Sequence, residues 1–258
     1  MRLYFKFFVM HLKIAMQYKL SFLFTTIGQF LVSFNVFLGV LFLLQRFHEV
    51  KGYGLSDVVL CYGIILMSYS IAEMFMRGFD MFAGTISNCE FDRMLLRPRS
   101  CIFQVVSGKL EFTRIGRMLQ ALVMFAYGIT KSDVQWDMKR TVTLLLMVLG
   151  GSVVFGCLFL IYASICFFTI EGLEFMNILT DGAREYGKYP LDVYGKGVFR
   201  FCTYLVPYTL FQYYPFLYLT GRTDRQWYML LPVLGCLFLL PSYLLWRVGM
   251  RHYKSTGS

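Results

Sequence analysis

The 258 residues are 57% apolar, 19% aromatic and only 16% charged, well below the roughly 25% charge of an ordinary soluble domain. This excludes a disordered chain, the 22 Gly and 6 Pro exclude a collagen-like or Pro-rich one, and a mean hydropathy of +0.58 points to an integral membrane protein with several spans. The net charge of +10 flanks apolar runs, so it reads as positive-inside topology rather than as a nucleic-acid surface.

In the first helix Arg2, Lys6, Lys13 and Gln17 fall on one side at 100° per residue, with Phe, Leu, Ile and Met around the rest. It lacks the long uncharged centre and small-residue cleavage site of a signal peptide. It therefore reads as an uncleaved amphipathic helix in the cytoplasmic headgroup region. Span one is expected at 20–45, and its polar positions are Thr25, Gln29, Ser33 and Asn35. Span two follows at 57–77 with Glu73 near its end, and span three at 113–130 is the weakest because it opens on Arg117. Span four at 141–170 would be about 45 Å long as a helix, so it must tilt or protrude. Span five at 198–220 is uncharged after Arg200 but carries the helix breakers Pro207 and Pro215. Span six at 227–247 contains Pro232 and Pro241, with Trp227 and Trp246 as interfacial anchors. Six spans put both termini on one side. Of the 25 Lys and Arg, 18 fall on that side and 7 on the other, which makes the termini cytoplasmic.

Catalytic chemistry finds no footing. The cysteines at 61, 89, 101, 157, 166, 202 and 236 form no C-x-x-C pair and read as packing residues. His11, His48 and His252 stand far apart, and no metal-binding or hydrolase motif accompanies them. The run Gly182 to Tyr189 fits G-x-x-x-x-G-K, but Tyr189 stands where a P-loop needs Ser or Thr to hold magnesium. Uphill transport would therefore draw on an ion gradient or a separate ATPase. Ion coupling leaves ionisable residues deep in spans, whereas Glu73, Glu171 and Glu174 read as solvated residues near helix ends. That favours the ATPase.

A separate ATPase acts only through surfaces it can touch. Between Gly84 and Arg99, a short helix puts Glu90, Arg93 and Arg97 on one face, offers Phe91, Met94, Leu95 and Leu96 as apolar anchors, and stops at Pro98. A helix of this kind suits a groove on a partner. A second cytoplasmic segment, Ala183 to Gly197, leads into the last two spans.

Three motifs recur together. Gly84, Ile86, Asp92, Leu95, Leu96, Arg97 and Pro98 follow G-x-[IL]-x(4,5)-D-x-x-L-L-R-P; Tyr189 to Tyr194 follow Y-P-L-x-x-Y; and Val206 to Pro215 follow V-P-Y-x-x-x-x-Y-Y-P. In these the chain resembles, over essentially its whole length, the type-2 ABC exporter permeases, and among them the viologen-exporter-like branch. It departs at Ser87–Glu90, where the family more often has a shorter acidic turn. The resemblance implies an all-α membrane domain over residues 1–258, with six transmembrane helices and the N-terminal interfacial helix. It implies a cytoplasmic coupling helix carried by Glu90, Phe91, Asp92, Arg93, Leu95, Leu96, Arg97 and Pro98. It also implies re-entrant outer helices between spans five and six at Pro207, Tyr208, Tyr213, Tyr214 and Pro215, where the two prolines independently fit a broken backbone.

The partners so implied are an ABC ATPase dimer that carries ATP and magnesium, a second permease chain (related or identical) and membrane lipid, with no cofactor on this chain and no nucleic acid. The lack of a targeting peptide and of N-x-[ST] acceptors favours a bacterial plasma membrane. Phe22, Phe24, Phe30, Phe34 and Phe37 favour an amphipathic or hydrophobic cargo such as a drug, lipid or peptide, although they serve equally as lipid-facing or packing surface. An ATPase-independent secondary transporter or channel, titrating Glu73 or Glu171, is the alternative. A lipid-modifying enzyme would need a polar catalytic cluster at one depth, and the sequence assembles none.

Overall fold

A computed structural model describes residues 2–47, 49–132, 134–169 and 174–255; His48 and Glu171 lie outside them. Helix α1 (Arg2–Gln17) leads into α2 (Lys19–Phe47), and a tight turn through Lys51 and Gly52 reverses the chain into α3 (Leu55–Asp80). Short helices follow: α4 (Phe82–Ser87), α5 (Glu90–Leu95) and α6 (Cys101–Gly108). Then come α7 (Ile115–Lys131) and the 32-residue α8 (Met138–Thr169). The last part is broken into α9 (Phe175–Leu179), α10 (Asp181–Tyr186), α11 (Lys196–Tyr204), α12 (Tyr208–Phe211), α13 (Tyr213–Leu219), α14 (Leu231–Gly235) and α15 (Leu239–His252).

Among the described residues, four helical stretches are long and apolar enough to cross a bilayer: Lys19–Phe47, Leu55–Ser87, Met138–Thr169 and Gln226–His252. The 17-residue α7 falls short of that length. Helix α3 is the axis of the molecule, buried without interruption from Val58 to Ser70, and it packs between α7 and α8. By contrast, α2 and α15 keep much of their apolar surface exposed. Apolar association carries little driving force in lipid, so close backbone approach has to hold such helices. Gly116 of α7 supplies one such approach: a Cβ there would collide with the Thr26 carbonyl oxygen of α2.

The expected fifth span, residues 198–220, is not one helix. The path is read from contacts along α3. The Tyr69 hydroxyl donates to Asp181 at 2.7 Å, Cys61 lies beside the Gly187 carbonyl, and Lys51 Nζ donates to the Asp192 carbonyl at 2.6 Å. Residues 181–192 thus climb from the middle of α3 to the α2–α3 turn, a rise of about 20 Å. Helix α11 then runs back inward, to the point where the Tyr208 hydroxyl donates to the Leu179 carbonyl. Helices α12 and α13 return outward, where Phe216 packs on Tyr53 and Arg222 donates to the Gly52 carbonyl and, at 3.2 Å, to Asp57. Residues 196–219 form a helical hairpin with its bend at Val206–Pro207. Pro207 sits at that bend as the N-cap of α12, and Pro215 falls in the first turn of α13, where a missing N–H costs little.

The same path alters the charge tally. Lys196 and Arg200 share a cleft with Lys51, so they belong at the α2–α3 end and not on the side where the sequence reading placed them.

Candidate functional site

The α3–α7 connection is built on one buried carboxylate. Sequence reasoning placed Glu73 in solvent at a helix end; instead its side chain is 4% exposed and Arg77, Arg114 and Arg117 surround it at 3.2, 3.0 and 2.5 Å. Arg77 also pairs with Asp80. A carboxylate withdrawn from water at this depth needs such partners. Three residues on, α3 kinks at Met76, whose backbone leaves helical values. The kink has a visible cause: the Glu111 N–H donates to the Met74 carbonyl at 3.1 Å, inserting a second chain into the helical ladder. Gly78, just beyond, lets α6 approach so closely that a Cβ would strike the Val105 carbonyl oxygen. The two roots of the 81–112 segment are thereby tied together.

On that base stands α5. Its turn begins at Cys89, which adopts a left-handed backbone (φ 55°). Phe91 was expected to anchor a partner; it is instead fully buried, edge-on to Phe82, Phe167 and Tyr253 at 5.5, 5.1 and 4.9 Å. Asp92 is also engaged within the chain: Tyr253 donates to one carboxylate oxygen at 2.9 Å and Ser255 to the other at 2.6 Å. Glu90, Arg93, Leu95, Leu96, Arg97 and Pro98 are exposed, and Leu96 is 87% so. The helix ends at Leu95, so Arg97 and Pro98 stand in the turn beyond it. Gln104 holds that turn, donating to the carbonyls of Met94 at 2.9 Å and Arg99 at 3.1 Å. The result is a rigid apolar root beneath a cationic edge with two bare leucines.

Helix α1 packs against the same end. Tyr4 and Phe7 meet Phe103, Phe8 meets Phe75 and Phe112, and His11 pairs with the Ser107 carbonyl at 3.0 Å. Lys6 and Lys13 project from the opposite, exposed side.

The hairpin is closed by residues that were not singled out in the sequence. Gln212, buried, donates to the carbonyls of Gly187 at 2.9 Å and Tyr189 at 3.1 Å. Those carbonyls are left over where α10 ends, and Pro190 has no N–H to offer. A lone amide among the aromatics of Tyr208–Tyr214 is the signal that could have marked it. Tyr208 is buried against Phe155 and Tyr186, while Tyr213 and Tyr214 are half-buried and meet Phe199 edge-on. Gly182 to Tyr186 belongs to α10 and is wound as helix.

A family model described as an ABC-2 family transporter protein matches residues 30–257. No curated protein and no solved structure matches the chain.

Proposed function

The chain belongs to the ABC-2 transporter family, the membrane permease component that associates with an ABC ATPase, and from that premise we propose that it serves an exporter whose ATPase docks on the exposed edge of α5. The observation that carries the reading is the division of this short helix: Phe91 and Asp92 are held by the chain itself, while Glu90, Arg93, Leu95, Leu96 and Arg97 face outward. A helix so rooted transmits displacement instead of tilting alone, and its outer edge offers cations and apolar anchors to a groove of acidic rim.

ATP and magnesium are bound by the partner ATPase dimer, and this chain supplies the path. Displacement of α5 passes through Phe91 to α8 and α15, and through the Glu73 cluster to α3 and α7. Such coupling drives alternating access by favouring one arrangement of the helices over another. The second permease chain meets α11, where Val198, Phe201 and Leu205 lie on one exposed side beside the 86%-exposed Tyr204. The termini lie in the cytoplasm of a bacterial plasma membrane and the hairpin opens outward. The cargo is amphipathic or hydrophobic, in keeping with the row of ring contacts Phe30–Phe34–Phe37 along α2. Glu73, paired through both oxygens, is poorly placed to carry protons, which weighs against a gradient-driven transporter.

Replacing Arg93 and Arg97 together by Ala tests this. Copurification of a P-loop ATPase with the tagged chain should be lost while the variant remains in the membrane and elutes as the parent does. Undiminished association would overturn the docking assignment.

A further inference from the structure

At the α5 end of the molecule a cleft of about 240 Å³ separates the start of α6 from the last turns of α15. Arg99 lines it from the turn before α6, and Arg247 lines it from α15 together with Tyr243, Trp246 and Met250. Neither guanidinium has an acidic partner among the described residues, and both side chains are exposed. Two cations facing one small cleft without a counter-ion repel each other unless an anion joins them. From Arg247, at the edge of the cleft, an exposed apolar track leads away: Leu237 just before α15 and Leu240 and Leu244 within it stand at i, i+3 and i+7, each 59% exposed, and Arg247 follows at the next turn. Cations at the end of a crossing helix, above bare leucines that run into the hydrocarbon, match the two halves of a lipid.

We propose that this cleft is a binding site for an anionic phospholipid of the leaflet on the α5 side. Its phosphate lies between Arg99 and Arg247, its glycerol against Tyr243, and an acyl chain along Leu244, Leu240 and Leu237. The guanidinium of Arg99 belongs to the turn that follows α5, so an occupied site holds that turn to the last helix. The assignment rests on α15 crossing the bilayer and is independent of where the ATPase docks.

The experiment uses the full chain in mild detergent, delipidated, with any ATPase that copurifies left in place. Native mass spectrometry then counts lipids retained on titration with phosphatidylglycerol or with phosphatidylcholine of identical chains. One phosphatidylglycerol per chain should persist at concentrations where phosphatidylcholine does not. R99Q/R247Q should weaken that retention by about thirtyfold, since each of the two surface cations contributes roughly 1 kcal/mol to anionic-lipid binding. Both positions are exposed, and an unchanged elution profile checks that the variant is folded. Lys13→Gln, a basic position away from the cleft, should leave retention unchanged. Equal retention of the two lipids, or equal loss in the Lys13 variant, would overturn the proposal. Displacement by millimolar inorganic phosphate would also overturn it, by showing a site for a free anion and not for a lipid. Loss of the chain from the membrane fraction would instead refute the crossing assignment, and a lost ATPase with retained lipid would refute only the docking reading.

Discussion

Tyr253, one residue past the last helix, donates its phenolic proton to Asp92 at 2.9 Å and sets its ring edge-on against Phe91 at 4.9 Å. Two neighbouring residues of α5 are thus held by one residue of the C-terminal segment, 161 positions away. Burial pushes the Tyr253 phenol up to about 12, and the hydrogen bond to Asp92 adds to the rise. A raised folded-state value means the bond is fully present below the ordinary tyrosine value of 10 and is lost as pH climbs through about 12. The latch is therefore closed throughout the physiological range. Tyr253→Phe keeps the ring and removes the donor. It should cost about 1 kcal/mol, the net value of one partly exposed hydrogen bond. Amide exchange at 90–96 should quicken by about fivefold, that energy expressed as an opening equilibrium, while the rest of the chain exchanges as before. Unchanged exchange in α5 would show that Phe91 alone holds it.

Phe91 and Leu96 make a sharper pair, because their side chains are chemically alike and their surroundings opposite. Phe91→Ala empties an aromatic cage and should lower stability by about 3–5 kcal/mol, read as an earlier thermal transition in detergent. Leu96→Ala removes a side chain that touches water, so the transition should stay within about 0.5 kcal/mol of the parent. ATPase copurification should nonetheless fall with Leu96→Ala. A Leu96 variant that melts early would place that residue in the root, not the edge.

Glu73→Gln leaves three guanidiniums converging on a neutral amide. Removing one partner of a buried ion cluster costs about 3–5 kcal/mol, so the variant should melt well below the parent. Adding Arg117→Met removes one of the stranded charges and should recover part of the loss, a coupling that single substitutions cannot show. A Glu73→Gln chain with parental stability would contradict the paired state and reopen the gradient-driven reading.

The long apolar runs of α2, α3 and α8 were legible because composition and helical length agree there. The fifth passage was only half legible: Pro207 and Pro215 marked a broken backbone, but hydropathy suggested one continuous span. Residues 198–220 are uncharged after Arg200, and so look like a span, yet they fold back on themselves. The climbing residues 181–192 carry Asp181, Arg184, Glu185 and Lys188 and so look like a loop. Hydropathy weighs each residue against water, whereas Asp181 meets the Tyr69 hydroxyl and Arg184 lies over the Tyr69 ring at 5.5 Å. Glu73 was misplaced for a like reason, since Arg114 and Arg117 lie about forty positions away and no local pattern announces them. At α5 the motif located a short helix, but Phe91 and Leu95 share a helical face in sequence and only the tertiary packing separates them.

The hairpin should depend on Gln212 more than on any of its aromatics. Its amide donates to the carbonyls of Gly187 and Tyr189, and the Cys61 thiol approaches only the first of them. Gln212→Leu conserves bulk and deletes both bonds, leaving two buried acceptors, each worth about 1–3 kcal/mol. The variant should lose about 2–5 kcal/mol of stability, and amide exchange should rise selectively at 183–190 and 208–214. Gln212→Glu provides the contrast. It keeps the shape and replaces the donor by a second set of acceptors facing the two carbonyls, so it should be worse than Leu near neutral pH and improve as pH falls and the carboxyl gains a proton to donate. If Leu and Glu behave alike at every pH, the amide is only filling space and the hairpin is held by Tyr208 and its bond to Leu179.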